Sequence, residues 1–360
     1  MSWNITLEDL SAIAIGAGVL GTGGGGDPYL SQLQLTEMLK NGKTVEIISA
    51  EELDDGSLGC GISGMGAPTI GVEKLPAGDE MWESVKGLQT HLHRDFEFLV
   101  IGEIGGGNAI EGLIAGAASG LPVIDADPMG RAFPELQMDT FMINGVKPSP
   151  FGLADGLGNS SVMHVNDPYT AERMGRALTI EMGGTSALAL PVINGRQVKD
   201  YGIHGTLSLC LTIGKAIIEA KKDKDDVIEK VESVIPAELL FTGKVIDVDR
   251  QTTGGFARGE VVLEGLEDFT GSEMRIKIQN EFLVAYRDGK PVAMVPDLIS
   301  VLDAENGLPI GTESLRYGIR LNVLGMPASE KLVTEKALDV IGPRAFGYDM
   351  DFEPLKISRT

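Results

Sequence analysis

The sequence predicts an α/β protein: a mixed or parallel sheet domain with glycine-rich ligand loops, then a smaller, mainly β C-terminal domain. Three observations predict it. The apolar run Phe98–Ile101 leads into the glycine turn Gly105–Gly107, an Ala/Leu/Ile-rich helical stretch Ala109–Ser119 and a second apolar run Val123–Ile124, the pattern of a βαβ unit. From Phe241 onward the texture changes to short β-branched runs separated by Gly or Asp turns. At 360 residues the chain also exceeds what a single core usually serves. The expected division is an α/β domain carrying the active site over residues 1–235 and a mainly β domain over 236–360.

Thr6 and Asp9 form a capping-box pattern before the apolar helix Leu10–Leu20. Gly21–Thr22–Gly23–Gly24–Gly25–Gly26 is too rich in glycine for regular structure, and Asp27 is the expected N-cap of a helix opening at Pro28 and running to about Leu39. Such a loop could offer backbone N–H groups to an anion, but it lacks the Gly-Lys-Ser/Thr of a nucleotide-binding loop. Val45–Ser49 alternates as a strand. Cys60–Thr69 is a third glycine-rich stretch, with hydroxyls that could line a pocket; Cys60 there is either a nucleophile or a small buried residue. Asp79–Thr90 has helical periodicity, and the His91/His93 pair beyond it is either a metal pair on a strand or a surface turn.

The stretch Glu103–Met138 is where the polar residues concentrate. Two strand ends deliver Glu103 and Asn108 on one side and Asp125, Asp127, Arg131, Glu135 and Gln137 on the other, outside the carboxyl ends of the strands. Asp139–Asn144 is expected as a strand, Phe151–Ser161 as a Gly/Ser-rich segment, and Asp167–Pro168 as the start of a helix to Ile180. A buried strand Ser186–Val192 follows, then His204 beside a helix that Thr206 caps and that runs to Lys222. In the last third, Gly243–Val248, Gly259–Leu263, Met274–Ile278, Glu281–Tyr286, Asp297–Asp303 and Leu315–Val323 read as strands, with a hairpin at Asp288–Gly289. Arg344 is a candidate anion contact. The loops Gly21–Gly26, Gly61–Gly66 and Gly105–Gly107 are expected to converge on one pocket, because none carries a side chain that would block a ligand.

With 30 Lys and Arg against 52 Asp and Glu, a formal charge of −22, the chain is a poor partner for nucleic acid. The two cysteines, Cys60 and Cys210, lack metal-site or disulfide-framework spacing. The N-terminus has no cationic segment before an apolar one, and no run reaches roughly eighteen uninterrupted apolar residues. A cytoplasmic protein with no membrane partner is expected.

Five segments together carry a resemblance: GTGGGGDPY at Gly21–Tyr29, EIGGGNA at Glu103–Ala109, DADPMGRAFPELQM at Asp125–Met138, GTLS at Gly205–Ser208 and GPRAFGY at Gly342–Tyr348. The sequence resembles the DUF917 family, described as S-methyl thiohydantoin desulfurase-like. That resemblance implies hydrolytic replacement of a thiol on C2 of a five-membered thiohydantoin ring, and association with hydantoinase/oxoprolinase-type proteins. Where many relatives have Asp-Gly-Met-Gly, this chain has Asp127–Pro128–Met129–Gly130, and the proline restricts Asp127 to extended backbone.

Such chemistry needs a group that activates water, a proton donor and readers of the ring amides. The expected catalytic set is Asp125 or Asp127 as base or metal ligand, Glu103 as acid/base partner and His204 as a further acid/base group. Asn108 and Gln137 are expected to read the ring amides and Arg131 a substrate carboxylate, with Glu135, Gly24, Gly25 and Thr206 also lining the site. The cofactor is left open, with a divalent metal as one candidate. The competing readings are an ATP-coupled cyclic amide enzyme using the Gly21–Gly26 loop, and an accessory or regulatory subunit of a hydantoinase/oxoprolinase system. A homo-oligomer is a further expectation.

Overall fold

The computed structural model describes residues 2–66, 70, 76–253 and 256–357. The first part of the chain runs β1 (Trp3–Asn4), α1 (Leu7–Leu20), α2 (Tyr29–Lys40), β2 (Glu46–Ile48), β3 (Leu58–Gly66), α3 (Glu80–Leu92), β4 (Phe98–Ile101), α4 (Gly107–Ser119), β5 (Val123–Ile124) and β6 (Ala126–Asp127). It continues through α5 (Thr140–Ile143), β7 (Phe151–Ala154), β8 (Ser160–Met163), α6 (Pro168–Glu181), β9 (Thr185–Asn194), α7 (Gly195–Tyr201), β10 (Ile203–His204), α8 (Thr206–Asp223) and α9 (Val227–Glu232). The last part is β11 (Glu238–Thr253), β12 (Phe256–Gly265), β13 (Glu273–Gln279), β14 (Glu281–Arg287), β15 (Lys290–Met294), β16 (Leu298–Asp303), β17 (Arg320–Met326) and α10 (Glu335–Ile341).

Eight strands form the first sheet, in the order β1-β2-β5-β4-β3-β9-β7-β8. Its centre, β2-β5-β4-β3, is parallel, and antiparallel strands flank it on both sides, so the sheet is mixed. Parallel strands are covered on both faces, which is why all four residues of β4 are buried. The β4–α4–β5 unit is the one the glycine turn and apolar runs imply. A second, seven-stranded sheet is antiparallel throughout, in the order β15-β14-β13-β12-β11-β17-β16. The Asp288–Gly289 turn joins β14 to β15 as expected, pairing Arg287 with Lys290.

Three local expectations change. Gly61–Gly66 is the end of strand β3 and not a loop, because each residue from Gly59 on finds a partner in β4 or β9; Ala67–Thr69 of the same stretch lie outside the described residues. Asp139–Asn144 is a single helical turn with Asp139 as N-cap accepting from Met142 N at 2.7 Å, a local hydrogen bond that wins over its β-prone side chains. Phe151–Ser161 supplies β7 and the start of β8, which pair as a hairpin.

The two sheets do not pack as separate bodies. Leu298, Leu302, Leu324 and Met326 of the second sheet join the core that contains α1, α4 and α8 of the first. Met129, Phe133, Met138 and Ile203 meet Leu283, Val284, Met294, Val295 and Leu332 in another shared cluster. Each such side chain contributes roughly 1.5–3 kcal/mol on burial, so the seam is a core rather than a hinge. Helices α1 and α8 touch backbone to backbone. A Cβ at Gly16 would overlap the carbonyl of Cys210, and one at Gly214 the carbonyl of Ala12. Gly214→Ala is therefore expected to destabilise the chain by about 1–3 kcal/mol, the usual cost of overpacking; an unchanged midpoint of urea unfolding would contradict the crossing.

Candidate active site

The C-terminal ends of β3 and β4 and the N-terminus of α4 open onto a cavity of about 390 Å³, within the ordinary range for small-molecule sites. Its walls come from both sheets. Ser63, Gly64, Glu103, Asn108 and Glu111 come from the first sheet and its helix, and Asn280, just before β14, and Glu281, its first residue, come from the second. The three glycine segments do converge here, since Gly25, Gly26, Gly64, Gly66 and Gly107 all line it. They are bonded to one another: Gly107 N donates to Gly26 O (2.9 Å), Asn108 N to Gly25 O (3.3 Å), and Gly64 N to Asn108 Oδ1 (2.7 Å). Loop, strand end and helix start thus form one rigid rim.

Carboxyl groups dominate the walls. Glu103 is buried, and its oxygens accept from Asn108 Nδ2 (2.7 Å) and Phe133 N (2.9 Å). Burial nevertheless pushes its pKa from 4.5 to about 8, because the low-dielectric surroundings penalise charge more than those two donors favour it. Glu111, three residues after Asn108 on the same helix, is raised by burial and by Glu80 to about 7, and its Oε2 has no hydrogen-bond partner. Glu281 is raised well above the usual carboxyl range by burial and then by Glu103. Glu172 is held by Leu136 N (3.1 Å) and by an ion pair with Arg176, whose guanidinium also donates to Pro134 O and stacks on Phe256 at 4.4 Å. Clustering of strongly shifted groups in a concave site makes this cavity the candidate active site.

Family models described as the S-Me-THD-like N-terminal and C-terminal domains match residues 8–165 and 166–355. The chain belongs to the S-Me-THD-like family. The cavity takes residues from both of the family's domains, Glu103, Asn108 and Glu111 from the first and Glu172, Arg176 and Glu281 from the second. The crystal structure of a structural-genomics target protein from Chromobacterium violaceum shares the fold, with a TM-score of 0.85 at 24% identity, over 98% of this chain and 100% of that one. No curated protein matches the chain.

In this member of the S-Me-THD-like family, several residues expected at the site have other duties. Asp125 caps α8, accepting from Leu207 N (2.9 Å), Ser208 N (3.1 Å) and the Ser208 hydroxyl, and lies outside the cavity wall. Asp127 is wholly buried beneath the wall; its Oδ2 accepts from the N–H groups of Ile104, Met129 and Gly130 at 2.8–3.1 Å. Burial raises its pKa to about 6, against the pull of those donors; Thr206 is buried and does not line the cavity. Neither aspartate is placed to activate water in the cavity.

Arg131 is also displaced from its expected role. It is fully buried and donates to Ala132 O (3.0 Å), Asp297 O (2.8 Å), Pro296 O (3.3 Å), Thr22 Oγ1 (2.8 Å) and Phe282 O (3.1 Å), which leaves no donor for a substrate carboxylate. His204 lies away from the cavity, with Nε2 3.2 Å from Val198 O and Nδ1 3.6 Å from Glu51. Gln137 is tied to Glu135, and only Glu135 of the two lines the cavity. Gly25 lines it, whereas Gly24 packs behind it against Glu281. Asn108 and Glu103 line the cavity.

The remaining candidates resolve as structure. Cys60 is buried and burial pushes its thiol pKa up, the opposite of an activated nucleophile. His93 is the left-handed C-cap of α3, while His91 meets His164 with Nε2 atoms 2.9 Å apart, so His91 and His93 do not form a pair. Arg344 binds Asp349 (3.0 Å) and Asp351 (2.8 Å). Among the described residues no group of three or more His, Cys, Asp or Glu is arranged to hold a metal ion, and none of their helices is long and apolar enough to cross a membrane.

Glu111, Glu172, Arg176 and Glu281 are the residues that sequence reasoning missed. Glu111 carried a readable signal, the i, i+3 spacing from Asn108 on the helix after the glycine turn. Glu281 had none, since only tertiary packing brings β14 to α4.

A carboxyl with a raised pKa favours the folded state most at low pH. Its contribution is full below the unfolded value of about 4.5 and is lost as pH rises to the folded value of about 8. Glu103→Gln is accordingly expected to shift the melting temperature, relative to the parent, more favourably at pH 8.5 than at pH 5. Thermal unfolding at the two pH values checks it, and a difference from the parent that is the same at both would contradict the burial cost. Arg131→Met leaves the carbonyls of Phe282 and Asp297 without their donor and is expected to cost about 3–5 kcal/mol, read as a lower urea midpoint; an unaltered midpoint would refute the bridge.

Proposed function

We propose that the protein is a hydrolase that removes a thiol from C2 of an S-substituted thiohydantoin ring and leaves the hydantoin. The observation that carries this reading is the presence, in one cavity wall, of a fixed carboxyl with a pKa of about 8, Glu103, and a second carboxyl with a pKa of about 7, Glu111. Two carboxyls whose environments separate their protonation states supply an acid and a base at the same pH. Membership of the S-Me-THD-like family supports the substrate class.

Near neutrality Glu103 holds its proton, while a large fraction of Glu111 is ionised. Glu111 takes a proton from water as the water oxygen bonds to C2, and Glu103 gives its proton to the ring nitrogen of the C2=N bond. The tetrahedral carbon then expels sulfur. The C2–S bond breaks, the thiolate takes the proton from Glu111, and the new C2 hydroxyl returns its proton to Glu103 as C2=O forms. Water has supplied the oxygen, one proton to nitrogen and one to sulfur, and both carboxyls are restored. Asn108, bonded to Glu103 and to Gly64 N, acts as a positioning residue by fixing the acid against the rim.

The ATP-coupled reading gains no support from the geometry. The Gly21–Gly26 loop lies beside Asp27 and Glu313, and the cavity it borders is lined by carboxyls, an environment that repels phosphate.

Incubation of the purified chain with 2-(methylthio)imidazol-4-one should release methanethiol and hydantoin, followed by thiol titration and chromatography. Glu103→Gln should lower kcat by roughly 10²–10⁴, the range for a positioned acid or base. Because the base must be ionised and the acid protonated, kcat/KM should rise as pH passes about 7 and fall above about 8. Absence of thiol release from any S-alkylated thiohydantoin, or full turnover by Glu103→Gln, would overturn the reading.

A further inference from the structure

Glu281 takes no part in the steps above, yet it is only 2% exposed and its Oε2 has no hydrogen-bond partner. It lines the cavity with Glu103, whose charge it feels. The chain holds it there at some cost. Asn280 just before it adopts a positive φ of 59°, and that residue is locked by Ala257 N donating to its side chain (2.8 Å) and by the Thr312 hydroxyl donating to its carbonyl (2.7 Å). On the far side, Phe282 N donates to Thr22 O (2.8 Å). Gly24 leaves room for the carboxyl, since a Cβ there would overlap Glu281 Oε1. A buried, unpartnered oxygen held by a strained backbone is costly unless a ligand completes it.

A five-membered ring entering this cavity meets carboxyls from Glu103, Glu111 and Glu281, and the guanidinium among the lining residues, Arg176, is already paired with Glu172. Anions are disfavoured there, and a delocalised N–C–N cation is favoured. Resting on the reading that the site protonates the ring nitrogen, we propose that Glu281 is a substrate-contacting carboxyl which, with Glu103 and Glu111, makes the cavity a receptor for the N-protonated, cationic form of a five-membered cyclic amidine. Stable cyclic guanidinium ions then occupy the site as inhibitors, because they resemble the ring as positive charge builds on its N–C–N unit during proton transfer from Glu103 more than the neutral substrate does.

Binding of such a cation draws a proton off the carboxyls. The groups facing them are Asp127 and Arg131 at Glu103, Glu80 at Glu111, and Glu103, Arg131 and Arg176 at Glu281. A cation placed among them favours the ionised carboxylate, so roughly one proton should leave at pH 7.

The test is calorimetric titration of the full-length chain with 2-amino-2-imidazoline, a five-membered cyclic guanidinium, beside hydantoin, a neutral ring of the same size. The parent should bind the guanidinium, and Glu281→Gln, checked for an intact melting transition, should bind it at least about tenfold more weakly while binding hydantoin within about twofold of the parent. Equal guanidinium affinity in the parent and a folded Glu281→Gln would overturn the proposal. If that variant does not fold, titration of the parent in buffers of different ionisation enthalpy decides: proton release with the guanidinium and none with hydantoin supports the proposal, and no release overturns it. A parent that hydrolyses the S-methylated ring but does not bind the guanidinium refutes this inference alone, whereas a parent that binds it and never releases thiol refutes the hydrolase reading.

Discussion

The buried guanidinium of Arg131 is the constraint on which the rest of the structure depends. It leaves a turn of the first domain and reaches backbone carbonyls of the second, at Phe282, Pro296 and Asp297, and the hydroxyl of Thr22 in the glycine loop. A planar group with five fixed donors sets distance and orientation at once, which the apolar contacts along the same seam cannot do. Burial brings its pKa down only to about 10, so it stays charged at neutral pH, beneath Glu103 and Glu281. Its positive charge opposes, without cancelling, the cost of burying those two carboxyls.

That arrangement joins the two sheets and shapes the cavity in the same place. Glu103 arrives from the end of β4 and Glu281 from the start of β14; Phe282, next to Glu281, is tied to Thr22 and Arg131, and Phe133, two residues after Arg131, donates to Glu103. Buried carboxyls with raised pKa values disfavour folding above neutral pH. The apolar clusters that span the seam offset this cost, a common relation between stability and a working site.

The fold was legible because its signals are local. Four consecutive apolar residues, a glycine turn, a helix rich in alanine and a second apolar run specify β4–α4–β5 from one end to the other. The same holds for the Thr6–Asp9 capping box and the Asp288–Gly289 hairpin. Gly61–Gly66 misled because glycine composition speaks for a loop, whereas pairing with neighbours on both sides made it a strand.

The site was legible only in part. Sequence by itself placed Glu103 and Asn108 at the mouth of a βαβ unit, since the register of strand, turn and helix decides where those side chains emerge. It did not distinguish Asp125, which caps a helix 82 positions away in the chain, from a catalytic carboxylate, because the two duties use the same residue type in the same kind of loop. Nor did it separate an arginine that binds a substrate from one that binds five backbone and hydroxyl oxygens, as Arg131 does. Tertiary structure alone brought Glu281 to Glu103, and only burial, which depends on everything packed around a group, decided which carboxyls keep a proton near neutral pH.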